Sequence, residues 1–110
     1  MSSREERIGL NEAVFRDVNE RIEDVAEASG LESQPLDFVC ECGDRSCVQR
    51  ISMSRREYEL VRSESNHFAV FPGHELLDLE RIVERRPGYD VVAKIAPVPE
   101  RIAEETDPRT

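Results

Sequence analysis

The sequence predicts a single α+β domain. A long N-terminal helix packs on a small, mostly antiparallel sheet with a second short helix inserted, and zinc stabilises the whole. Three observations carry this reading. Residues 10 to 29 place apolar side chains at helical spacing. Short extended runs separated by turn residues recur from residue 36 to residue 95. All three cysteines fall in one stretch, "CECGDRSC" (40–47).

The first helix is read from Leu10, Val14, Val18, Ile22 and Val25, with Ala13 and Ala26 widening the stripe. Glu12, Asp17, Glu20, Glu23, Asp24 and Glu27 lie opposite, so the apolar stripe is expected to face the core. Gly30 is placed to end the helix, while its start, near Ser3 or after Gly9, stays open. Beyond Pro35, "LDFVC" has the character of a strand. "VQRISM" resumes an extended pattern with Val48, Ile51 and Met53 as apolar points. The cysteine turn, with Gly43 and Asp44, therefore joins a hairpin.

Ser54 and Glu57 form a capping box, which predicts a short helix over "RREYELVRSE" burying Tyr58 and Leu60 or Val61, and ending near Asn66. "HFAVF" reads as a third strand running into Pro72-Gly73-His74. "ERIVERRPGYDVVAKI" reads as a second hairpin about Arg86-Pro87-Gly88-Tyr89. Leu76, Leu79 and Val83 also fit helical spacing, so helix and strand both remain open for residues 75–85. The domain is expected to span 10–96, between a flexible N-terminus (1–9) and a flexible, polar, proline-bearing tail (97–110).

Composition narrows the chemistry. Charged residues make up 35% of the chain and aromatics 5%, with no tryptophan, so the apolar core is thin. An ordered part of roughly 80 residues is the size at which domains often recruit a metal or disulfides. The net charge of −9 argues against DNA or RNA, whose phosphates need a basic surface. Arg45, Arg50, Arg55, Arg56 and Arg62 do gather near the cysteines. They read as a solvated face paired with Glu57, Glu59 and Glu64, or as a docking patch for an acidic partner. No apolar run approaches a membrane span, and the expected compartment is the cytoplasm, where thiols stay reduced. Lys94 is the only lysine among fifteen basic residues.

In an extended segment Cys40 and Cys42 point to one face, and the turn brings Cys47 back on the returning strand. Three thiolates can thus surround one ion, and a tetrahedral zinc site needs a fourth ligand. His67 and His74 are the only histidines. His74, at a Pro-Gly turn after a strand, is better placed to swing toward the cysteines. The competing readings are reduced core cysteines, or a Cys42–Cys47 disulfide with Cys40 spare. Thiolate and imidazole ligands without a redox requirement suit zinc first and iron second.

Together "NEAVFRDVNERI" (11–22), "CECGDRSC" (40–47), "EYELVR" (57–62) and "HFAVFPGH" (67–74) resemble a family of small uncharacterised actinobacterial proteins. Its members join an N-E-x-x-F-R-x-x-N-E helix to a C-E-C-x4-C turn and a P-G-H motif. The resemblance covers roughly residues 10 to 95. It implies that Cys40, Cys42, Cys47 and His74 form one motif set, and it implies an actinobacterial, cytoplasmic origin in keeping with the arginine bias. It implies no activity.

No Gly-rich phosphate loop, nucleophile elbow or H-E-x-x-H motif occurs. A site with four protein ligands leaves no open position for water, and Glu41 between the thiols reads as a solvated turn residue. The expected function is accordingly a small zinc-stabilised accessory or interaction module, regulatory and without catalysis. Its protein partner would dock on the N-terminal helix, near Phe15 and Arg16. The alternative is a thiol-based redox or metal sensor using the same cysteines.

Overall fold

A computed structural model describes residues 3–31 and 33–109. The chain runs α1 (Arg4–Ala28), β1 (Leu36–Val39), β2 (Arg50–Met53), α2 (Arg55–Val61), β3 (His67–Val70), β4 (Glu80–Arg86), β5 (Tyr89–Lys94) and α3 (Pro97–Glu105). It is an α+β fold with two antiparallel sheets, the β1–β2 hairpin and a three-stranded sheet in the order β3-β5-β4.

The expected capping box at Ser54 forms, and a second one at Ser3 begins α1. The Ser3 hydroxyl accepts from the Glu6 amide and the Ser54 hydroxyl from the Glu57 amide, each with the glutamate reaching back. α1 therefore starts at Arg4, and residues 4–9 are helical where a flexible N-terminus was expected; residues 1 and 2 lie outside the described residues. In the first hairpin Leu36 pairs with Met53 and Phe38 with Ile51. The second hairpin turns at Pro87-Gly88, and residues 80–86 are strand, with an irregularity between Ile82 and Glu84. α2 is shorter than expected, buries Tyr58 and Val61, and leaves Leu60 exposed.

The core forms two neighbouring clusters. One joins Phe38, Ile51, Met53, Tyr58, Val61, Ala69, Tyr89 and Val91, with Phe38 and Tyr58 stacked at 4.5 Å. The other joins Cys40, Cys42, Phe68, Val70, Val92 and Ala103. Ala103 belongs to α3, which packs against α1, so the expected flexible tail is instead a structural helix. Beyond it Asp107 accepts from Arg62 at 2.5 Å, and Arg109 reaches Glu20 and Glu23 of α1, both at 2.9 Å. Polarity did not mark a free end here, because Asp107 and Arg109 find opposite charges in the body of the domain.

α1 packs largely the other way round from expectation, although Ile22 and Ala26 of the expected stripe do meet the core. Its buried residues are Ile8, Gly9, Glu12, Arg16, Asn19, Glu23 and Ala26, while Leu10, Val14, Val18 and Val25 are exposed. The polar positions also repeat at helical spacing, and they go inside because the interior answers them. Arg16 donates to the Ser65 and Ala103 carbonyls at 2.6 and 2.7 Å and lies over the Phe68 ring. Asn19 exchanges hydrogen bonds with both backbone groups of Val39, at 2.9 and 2.8 Å. Glu12 meets buried Lys94, which also holds Glu80. Buried polar groups are tolerated when partnered in this way. Arg16 is therefore unavailable as the docking residue it was expected to be.

Candidate metal centre

Four side chains from three chain segments converge. Cys40 and Cys42 follow β1, Cys47 precedes β2, and His74 lies beyond β3. Their sulfur atoms and a ring nitrogen all lie within 4.8 Å of one another. Nδ1 of His74 is 3.6 Å from the Cys40 sulfur and 3.5 Å from the Cys47 sulfur. For a tetrahedral zinc with Zn–S about 2.3 Å and Zn–N about 2.0–2.1 Å, the sulfur-to-nitrogen edge is about 3.6 Å. The donor set and these two edges fit such an ion.

Local geometry explains the convergence. The Cys40 amide donates to Gln49 across the hairpin base at 3.1 Å, and the next amide, Glu41, donates to Ala69 of β3 at 2.8 Å. The cysteine segment thus crosses from one sheet to the other within two residues. Gly43 lets it pass close to α1, since a Cβ there would stand 2.5 Å from the Ile8 side chain. Asp44 orders the turn by accepting from the Ser46 amide and hydroxyl at 2.9 and 2.7 Å. On the far side the His74 amide donates to Phe71 at 2.9 Å, closing a turn in which Gly73 takes φ of 93°. That turn aims the imidazole at the sulfurs, and the Phe71 amide donates to the Cys40 sulfur at 3.1 Å.

The thiols are not equivalent. Cys40 and Cys42 are buried, while Cys47 and His74 remain partly accessible. Hydrogen bonding with Cys40 lowers the Cys42 thiol to about 5. The same contact, reinforced by burial, raises Cys40. The two thiols therefore share one proton between them, and thiolate is the form that ligates metal.

Of the two histidines it is His74 that joins the cluster; His67 begins β3 and is not part of it. The three thiols are unbridged. Two of the neighbouring arginines are held elsewhere. Arg62 is buried between Glu20 and Asp107, and Arg55 approaches Glu23, Glu27 and Glu59 at 3.6–3.7 Å. Both turn toward carboxylates of the helices and tail, not toward the sulfurs.

Glu41 departs from its expected role as a solvated turn residue. Its carboxylate is fully buried and accepts from Asn19 Nδ2 at 2.9 Å, the Tyr58 hydroxyl at 2.7 Å and the Ala69 amide at 3.0 Å. Burial raises its pKa. It points away from the thiols and ties the segment that bears them to α1, α2 and β3. The signal for this anchor was the alternation itself, since flanking residues that share one face send the residue between them to the other.

Compared with models of protein families, with curated proteins and with solved structures, the chain matches none. No helix among the described residues is long and apolar enough to cross a membrane.

Proposed function

We propose that the protein is a small zinc-stabilised interaction module, in which Cys40, Cys42, Cys47 and His74 hold the ion as a fastener between the two sheets. The observation that carries this reading is the convergence of three sulfurs and one ring nitrogen within 4.8 Å. Four protein ligands fill a tetrahedral shell, so the ion has no position for substrate or water and its role is structural. Glu41, between two of the cysteines, is engaged by three donors and turned into the core, so it does not serve as a base at the metal. The module acts by presenting a surface, and α1 is the longest element it presents. A regulatory role in the cytoplasm fits this reading.

The test is elemental mass spectrometry of protein purified without added metal. One zinc per chain is expected, and the Cys47→Ser and His74→Ala variants should each lose it. A chain that folds fully without bound metal would rule the reading out.

A second reading, a thiol-based sensor, is favoured by the accessibility of Cys47 beside two buried thiols. A hydroperoxide would oxidise the Cys47 thiolate to the sulfenate, its O–O bond breaking with release of water or an alcohol. Attack by a neighbouring thiolate on the sulfenic sulfur would then break its S–O bond, releasing hydroxide, form a disulfide and free the ion. Zinc release at mild peroxide, with loss of helicity, distinguishes this from an inert fastener.

A further inference from the structure

By turning its polar stripe inward, α1 leaves its apolar stripe in water. Leu10, Val14, Val18 and Val25 are 49%, 62%, 38% and 65% exposed. They lie along one side of the helix over about 24 Å. Isolated exposed valines are ordinary, but a continuous row marks a contact surface. Arg21 falls in the same row and Asp17 at its edge, paired at 3.3 Å and both largely exposed. A row that carries apolar residues together with one cation and one anion complements itself when reversed.

We propose that α1 of a second copy of this chain covers this row, in an antiparallel pair about a two-fold axis near Asp17 and Val18. Such an isologous pairing sets Leu10 against Val25 of the partner subunit. It brings Arg21 within one turn of Asp17 of the partner subunit. A parallel pair would set Arg21 against Arg21 within an apolar seam, where like charges repel. One helix face is small for a specific interface, so the dimer forms in the micromolar range. This names the partner of the interaction module proposed above and rests on that reading, but not on the identity of the metal.

Sedimentation velocity of the full, metal-loaded chain tests the pairing across micromolar to hundreds of micromolar protein. The buffer should hold about 0.15 M salt, where a Debye length of about 8 Å screens the repulsion between copies. The expected result is a monomer–dimer equilibrium. Val18→Glu, at a side chain that is partly exposed in the monomer, should weaken it at least tenfold while circular dichroism stays unchanged. Arg21→Asp should also weaken it, and Arg21→Asp combined with Asp17→Arg should restore it. A monomer at every concentration overturns the proposal. So does a dimer indifferent to Val18→Glu, or a double exchange that fails to restore association. A monomer that keeps its zinc and loses thermal stability on chelation removes the dimer alone and leaves the metal reading standing.

Discussion

Glu41 shows how one buried carboxylate organises the candidate site without joining its four converging side chains. Replacing it by alanine strands the Tyr58 hydroxyl, an Asn19 amide hydrogen and the Ala69 amide in the interior. Unsatisfied buried groups cost about 1–3 kcal/mol each. Glu41→Ala should therefore lower unfolding free energy in urea by about 3 kcal/mol or more, and weaken zinc binding although no ligand has changed. Glu12 offers a second test at this scale. Burial pushes its carboxyl up to about 8 from an ordinary value of 4.5, against the opposing pull of Lys94. Between those values the folded chain holds a proton that the unfolded chain has released, so stability falls as pH rises through the window. Glu12→Gln keeps the neutral form throughout. Its thermal midpoint, followed with zinc held constant from about pH 5 to about pH 8.5, should slope downward less than that of the unaltered chain. The ligand residues were legible in the sequence because cysteine is scarce and its spacing carries meaning. Glu41 and Glu12 were not, because an acidic side chain looks the same on paper whether water or a buried donor receives it.

Among the elements, strands and caps followed from local chemistry while helix orientation did not. Ser54 with Glu57, and the Pro87-Gly88 turn, specify their structures through a few adjacent atoms. The inner face of α1 is decided by distant partners: Val39 for Asn19, Ala103 for Arg16, Lys94 for Glu12. Two stripes share the helical period, and hydropathy alone selects the wrong one. The same cause hid α3, whose polar sequence conceals Ala103 packed against the second core cluster. Its removal gives a prediction for the element as a whole. A chain ending at residue 96 exposes that cluster and deprives the Arg16 guanidinium of the Ala103 carbonyl. It should lose its cooperative thermal transition by circular dichroism, whereas removal of a free tail would leave the midpoint unchanged.

Across the molecule the candidate metal centre lies between the two sheets, beside the backbone and side-chain bonds of Glu41 to Ala69 and the Phe71 amide that donates to the Cys40 sulfur. Chelation should therefore release protection unevenly in amide exchange. Cys40, Glu41 and Phe71 should exchange early, together with β1 and β2, while the longer β4–β5 hairpin keeps its protection longest. Uniform exchange, or none, would contradict a bridging role. The α+β class and both hairpins could be read before the structure was known, because alternation and turns are local. The way the two sheets lean on α1 could not, because it depends on hydrogen bonds and one contact with Lys94 between residues far apart in sequence. That polar interior also bears on calorimetry. Unfolding would hydrate Glu12, Arg16, Glu41, Glu80 and Lys94, all buried in the native chain, and hydration of polar surface lowers the heat-capacity increment that apolar surface raises. The increment should fall below the usual value of about 12–15 cal/mol/K per residue. The stability curve would then be broad and shallow, with little tendency to unfold in the cold.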